Sequence, residues 1–119
     1  MRLMLTFILT IFITSPVFAG YPTVGELLAA CGKSTDPKMS EAFNEANCLG
    51  YVGGAMDSAQ VIFSIRPTSR LFCLPQQGVS PEQVLIHIQG WLEAYPAEAD
   101  KTSGRMAILI GLAQAYPCK

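Results

Sequence analysis

Apolar residues recur at helical spacing in four segments of the chain, and polar or proline-containing stretches separate these segments. The first predicted helix opens at Thr23, where a T-x-x-E sequence has the form of a capping box, and stops near Gly32. The second runs from about Ser40 to Ile65, because Pro67 prevents its continuation. No segment shows a convincing alternation of apolar and polar residues, so the pattern predicts an all-α fold.

The third and fourth predicted helices have equally clear ends. The third opens with Ser80 as the cap and Pro81 at the first helical position, and S-P-E-Q gives a second capping box. The fourth runs from about Arg105 to Tyr116, and Pro117 ends it. The residues predicted to face inward are Val84, Ile88, Trp91, Leu92 and Tyr95 in the third helix and Met106, Leu109, Ile110, Ala113 and Tyr116 in the fourth. The pattern predicts a compact four-helix domain, with or without a short extra turn as a fifth element.

Three glycines lie inside the second predicted helix, at Gly50, Gly53 and Gly54. Each costs roughly 1 kcal/mol relative to alanine in a helix interior, so the cluster needs a structural or functional reason. Asp57 shares the face of these glycines, and Cys48 lies on the opposite face. We expect the glycine face to let another backbone approach closely and Asp57 to be partly buried. Asp57 would then either pair with a nearby arginine or contact a binding partner.

The first nineteen residues, MRLMLTFILTIFITSPVFA, have the pattern of a secretory signal peptide. Arg2 precedes an apolar run that ends at Ile13, and small residues stand before a cleavage site after Ala19. A membrane anchor is the alternative, but the apolar run is shorter than the ~20 residues that a spanning helix needs. We therefore expect residues 1–19 to be removed and residues 20–119 to form one domain with no membrane contact.

All four cysteines follow the predicted cleavage site, and an even number in a small exported domain predicts two disulfides. Cys31 ends the first helix and Cys48 lies early in the second, so antiparallel packing of these helices would bring the two together. Cys73 precedes the third helix and Cys118 follows the fourth, so a helical hairpin would join them. We predict Cys31–Cys48 and Cys73–Cys118. Zinc is the alternative, but no C-x-x-C or H-x-x-x-H spacing exists, and His87 is the only histidine.

Charge and the remaining polar residues argue against several classes of function. Removal of residues 1–19 takes away Arg2 and leaves seven basic and nine acidic residues. Because the basic residues form no cluster, no nucleic-acid ligand is expected. Ser40 and Ser80 are better explained as helix caps than as nucleophiles, and His87 as a surface or boundary residue. We expect no enzyme active site, no metal site and no cofactor.

Across residues 25–118, an ordered set of residues resembles the Tai-type immunity proteins of bacterial type VI secretion. The set reads C…C-x-G-Y-V-x-G-x-x-D…C-L-P…Q…W-L…P…A-x-L-I…A-x-P-C. The residues that carry it are Cys31, Cys48, Gly50, Tyr51, Gly54, Asp57, Cys73-Leu74-Pro75, Gln83, Trp91-Leu92, Pro96 and Pro117-Cys118. Trp91 stands where a tyrosine or phenylalanine is more frequent in the family.

The resemblance implies a periplasmic, all-helical protein that neutralises a peptidoglycan-cleaving amidase toxin delivered by another cell. Family members bind the toxin and block its active-site cleft, and they are not enzymes. Several are dimers, so the resemblance makes a homodimer an expectation for this chain. A small periplasmic helical chaperone of the acid-stress type is the alternative, and the absence of a carboxylate cluster argues against it.

The resemblance does not assign the surface that contacts the toxin. Helices supply the scaffold and loops are free to protrude, so the 66–79 loop and the 97–104 connection are the candidates. Arg70 and Phe72 are the candidate partner-binding residues of the first loop, and Asp100 and Lys101 those of the second.

Overall fold

A computed structural model describes residues 20–32 and 39–119 of the chain, and in this part it contains four α-helices and no strand. The helices are α1 (Val24–Ala30), α2 (Met39–Ile65), α3 (Pro81–Ala94) and α4 (Gly104–Ala115). Two 3₁₀ turns, Pro67–Ser69 and Pro96–Glu98, follow α2 and α3. The predicted all-α fold is confirmed. The predicted signal peptide at 1–19 and most of the predicted connection at 33–39 lie outside the described residues.

Local hydrogen bonds at the helix starts explain why these helices begin where they do. The Thr23 hydroxyl accepts from the backbone N–H of Glu26 at 3.2 Å, and the Glu26 carboxylate accepts from the backbone N–H of Thr23 at 3.3 Å. Ser80 and Gln83 form the same reciprocal pair at the start of α3, at 3.3 and 2.9 Å. Both predicted capping boxes are confirmed, and each satisfies two N–H groups that a helix start leaves without partners.

The buried core draws on all four helices and on the segment after α2. Its members are Val24 and Leu27 from α1, Cys48, Val52, Met56, Ala59 and Phe63 from α2, Phe72 from the following segment, Val84, Ile88 and Trp91 from α3, and Ala107, Ile108 and Leu112 from α4. No described polar or charged residue is buried, so the side-chain contacts between the helices in the core are apolar.

The face of α4 that packs inward differs from the predicted one. Met106 is half exposed, and the buried residues of α4 are Gly104, Ala107, Ile108, Gly111 and Leu112. A methyl group added at Gly111 would lie 3.1 Å from Ile88 Cγ1 of α3, so the glycine sits at a close helix–helix contact. The prediction was wrong for Met106, whereas Leu109, Ile110 and Tyr116 are partly buried and pack against the core. It missed the small residues of α4, which allow the closest approach between helices. Tyr95, predicted to face inward from α3, is also largely exposed at the end of that helix.

The connection between α3 and α4 is fastened to the start of α1. The backbone N–H of Val24 donates to the Thr102 carbonyl at 2.8 Å, and that of Gly25 donates to the Ala99 carbonyl at 2.9 Å. On the other side, the N–H of Gly104 donates to the Tyr21 carbonyl at 3.2 Å. The connection is therefore held against the domain by backbone hydrogen bonds rather than free to protrude. None of the helices in the described part of the chain is long and apolar enough to cross a membrane.

Alanine substitutions at the glycines should separate open positions from packed ones. Among the described residues, no atom outside the local helix lies within 4 Å of a methyl group placed at Gly50 or Gly54. Gly50→Ala and Gly54→Ala should each raise the free energy of unfolding by up to about 1 kcal/mol, because glycine is the poorer helix former. At Gly104 the added methyl would lie 3.1 Å from Tyr21 Cβ and 3.2 Å from its carbonyl oxygen, so Gly104→Ala should destabilise the domain. Urea denaturation of dilute protein measures all three, and a destabilising Gly54→Ala in a monomer would contradict the description of this face.

Candidate partner-binding surface

Two disulfides fix the ends of the helices. Cys31, at the end of α1, is bonded to Cys48 of α2, with their Cα atoms 5.4 Å apart. Cys73, before α3, is bonded to Cys118, after α4, with a Cα separation of 4.9 Å. This is the predicted pairing, and none of the cysteines, all of which lie in the described ranges, is free.

The glycine face of α2 does not make the close helix contact that we expected. Gly50, Gly54 and Asp57 are all exposed, and Gly53 meets only Pro81, whose Cγ lies 3.7 Å from an added methyl group. Within residues 20–32 and 39–119, no backbone packs against Gly50 or Gly54. The expectation of a partly buried Asp57 is also wrong. The helix turns its opposite face, which includes Cys48, to the core, because that face carries the larger apolar side chains.

Phe72 is a core residue and not an exposed contact residue. Its side chain is completely buried, and its ring packs edge-on against Phe63 of α2 with the ring centroids 5.0 Å apart. A buried side chain cannot contact a partner without unfolding the segment around it. The expectation that Phe72 binds a partner is therefore corrected, and its role is to anchor the 66–79 segment to α2.

The other three candidate partner-binding residues are exposed but lie in two separate segments. Arg70 follows the first 3₁₀ turn, which packs on α2. Asp100 and Lys101 lie in the connection that backbone hydrogen bonds tie to α1. The backbone N–H of Lys101 donates to the Glu98 carbonyl at 3.1 Å, so this connection forms a compact turn. A role in binding stays a prediction for all three residues.

An exposed group of apolar and basic residues lies at the end of α2 and beside the first 3₁₀ turn, and it was missed in the sequence. We call it the apolar–basic patch and define it as Ile62, Ile65, Arg66, Arg70 and Leu71. The exposed fractions of its apolar members are 52% for Ile62, 74% for Ile65 and 56% for Leu71. Ile62, Ile65 and Arg66 line a shallow depression of about 290 Å³ at the end of α2. Large apolar side chains grouped in this way beside positive charge are typical of a protein-binding surface.

One signal in the sequence could have revealed the patch. Between Asp57 and Glu82 there is no acidic residue, and Arg66 and Arg70 are the charged residues of that stretch. The structure places Phe63 in the core, whereas the preceding residue, Ile62, is exposed.

Two of the polar residues weighed for catalysis, Ser80 and His87, make structural contacts. Ser80 caps α3, and His87 is half-buried with its Nε2 3.3 Å from the Tyr116 hydroxyl. The His87 and Tyr116 rings also pack edge-on, with their centroids 5.5 Å apart. Within the described residues, no group of three or more histidine, cysteine, aspartate or glutamate side chains could hold a metal ion.

Comparison with known families agrees with a binding role. The family model of the Rap1a immunity proteins matches residues 23–118. The chain belongs to this family. The matched range begins at the cap of α1 and ends at Cys118, so it contains every described helix and both disulfides. Neither the curated proteins nor the solved structures gave a match to the chain. As a member of the Rap1a immunity family, the chain has a toxin as its implied partner.

Proposed function

We propose that the protein is a periplasmic immunity protein that binds a peptidoglycan-cleaving amidase delivered by type VI secretion and occludes its active-site cleft. The observation that carries this proposal is the match to the Rap1a immunity family over residues 23–118. The resemblance to the Tai-type proteins supports the amidase as the toxin. In this proposal the protein binds and does not catalyse.

Two features of the chain support the periplasm as the site of action. The predicted signal peptide at 1–19 would export the protein to the compartment that contains peptidoglycan. Disulfides persist in that oxidising compartment, and this domain has two of them. A toxin that cleaves peptidoglycan must be neutralised where its substrate lies.

Co-expression tests the function directly. A panel of cysteine–histidine amidases, beginning with the product of the adjacent gene, is directed to the periplasm with or without the full-length protein. We expect the protein to prevent lysis by one amidase of the panel, and a version lacking residues 1–19 to give no protection. Lysis by every amidase in the presence of folded, exported protein would contradict the proposal.

We also propose that two copies of the protein associate, as the resemblance suggests. The open glycine face of α2 supports this, because Gly50 and Gly54 leave room there for a second backbone. Phe43 and Val61, both more than half exposed, add apolar area to α2. Sedimentation equilibrium of the purified protein should give the mass of a dimer, and a monomer mass up to millimolar concentration would contradict the proposal.

A further inference from the structure

We infer that the apolar–basic patch is the surface on which the toxin docks, and that the toxin presents an acidic surface with an apolar centre to it. The inference rests on the proposed function and adds the location and chemistry of the contact. Phe72 is buried and is therefore not part of this surface. The exposed residues of the surface lie on both sides of the first 3₁₀ turn: Ile65 and Arg66 precede it, and Arg70 and Leu71 follow it.

The composition of the patch suits a protein partner. Ile62 and Ile65 form an apolar centre on α2, and the exposed Arg66 side chain borders the depression that they line. Interfaces commonly combine an apolar core with a polar rim, and arginine is enriched among the residues that contribute most to binding. A depression of about 290 Å³ is small, so it would accept one or two apolar side chains of the partner rather than an extended ligand.

The charge of the patch is opposite to that of the rest of the domain. Arg66 and Arg70 contribute two positive charges to a predicted mature chain of about −2, so the remaining residues carry about −4. A basic partner would be attracted to the remainder of the surface. An acidic partner is instead repelled by that remainder and attracted to the patch, which orients it before contact.

The patch is held rigidly, which lowers the entropic cost of binding. The backbone N–H of Arg66 donates to the Ile62 carbonyl at 2.8 Å, and that of Ser69 donates to the Arg66 carbonyl at 3.0 Å. The buried Phe72 then anchors the segment, and the Cys73 N–H donates to the Tyr116 carbonyl at 2.8 Å beside the second disulfide. A surface fixed in this way loses little freedom when a partner docks.

A membrane surface fits the patch less well than a protein does. Segments that bind anionic lipid headgroups commonly contain clusters of about 4–8 basic residues. Here two arginines stand in a stretch of 24 residues between Asp57 and Glu82. A protein surface with a few well-placed carboxylates needs only these two, because arginine pairs with carboxylates in a bidentate geometry.

Charge reversal tests the inference. The full-length protein is expressed, and the exported wild type and an Arg66→Glu/Arg70→Glu variant are titrated against the amidase that the wild type neutralises. We expect the variant to bind at least roughly 100-fold more weakly, since both pairs become repulsive. Ile65→Ser should weaken binding roughly tenfold through loss of apolar contact. Wild-type binding should also weaken as salt concentration rises, whereas binding of the double variant should strengthen, because salt screens its repulsive pairs.

Matched variants elsewhere on the domain separate the patch from general charge effects. Arg105→Glu/Lys119→Glu makes the same change in net charge at two exposed residues, one at each end of the α4 region. Ile86→Ser removes an exposed isoleucine from α3, where 67% of that side chain is accessible. Both variants should bind the amidase within about threefold of the wild type, and melting temperatures should show that all variants are folded.

The outcomes distinguish the inference from the function on which it rests. If the wild type binds and the Arg66→Glu/Arg70→Glu variant binds equally well, the inference is wrong and the function stands. A greater loss in Arg105→Glu/Lys119→Glu would likewise overturn it, in favour of the surface around α4. If the wild type binds no amidase, both are overturned. Patch-dependent association with phosphatidylglycerol vesicles, with amidase binding unaffected by the patch variants, would reassign the surface to a membrane.

Discussion

Phe72→Ala should lower the free energy of unfolding by about 3–5 kcal/mol, the range typical of a buried aromatic side chain that is removed from a core. The Phe72 side chain is completely buried and packs edge-on against Phe63 at 5.0 Å between ring centroids. The substitution removes both the buried apolar area and this ring contact, and it leaves a cavity behind α2. Urea denaturation followed by circular dichroism measures the change.

The neighbouring residue is the control for this substitution. Leu71 is 56% exposed, so Leu71→Ala should change the free energy of unfolding by less than about 0.5 kcal/mol. When amidase binding is measured, Leu71→Ala should instead have the larger effect of the two. Leu71→Ala should weaken amidase binding while the fold is intact, because Leu71 belongs to the apolar–basic patch. A loss of stability below about 1 kcal/mol in Phe72→Ala would show that this side chain is not part of the core.

Removing the Cys73–Cys118 disulfide should have the second large effect. A Cys73→Ala/Cys118→Ala variant frees a loop in which the bonded cysteines are 45 residues apart. The chain-entropy model gives a loss of about 4 kcal/mol for a loop of this length. Small domains have a total stability of about 5–15 kcal/mol, so this variant should unfold at a much lower urea concentration.

The other disulfide provides the comparison. Cys31 and Cys48 are 17 residues apart, and the same model gives about 3 kcal/mol for a Cys31→Ala/Cys48→Ala variant. Both variants should therefore be less stable than the wild type, and the one lacking Cys73–Cys118 should be the less stable of the two. Equal stability of all three proteins would show that the helices hold together without the bridges.

Local signals in the sequence predicted the elements of the fold well. Thr23 caps α1 and Ser80 caps α3, each together with a side chain three residues further along the chain. Both partners lie within four consecutive residues, so these caps can be recognised from the sequence. The disulfide pairing followed because Cys31 ends α1 and Cys48 lies early in α2, while Cys73 and Cys118 flank the pair formed by α3 and α4. These features depend on short stretches of chain or on the order of the helices.

The features that sequence reasoning missed depend on which surfaces meet. Gly111 and Gly50 are both glycines in helices, yet one contacts Ile88 and the other is exposed. Phe72 and Arg70 belong to the same loop, yet one fills the core and the other faces solvent. Periodicity identifies faces of a helix but does not say which face a neighbour covers. Of the candidate binding surface, only Arg70 was therefore predicted from the sequence.

The most direct test of a binding role is a titration of amidase activity. Purified, oxidised protein is added in steps to the amidase of the panel that it neutralises in cells, and hydrolysis of peptidoglycan is measured. We expect activity to fall linearly to zero when one domain is present per amidase active site, with the Arg66→Glu/Arg70→Glu variant reaching the same end point only in large excess. Full hydrolysis in the presence of excess folded wild-type protein, for every amidase of the panel, would contradict the account.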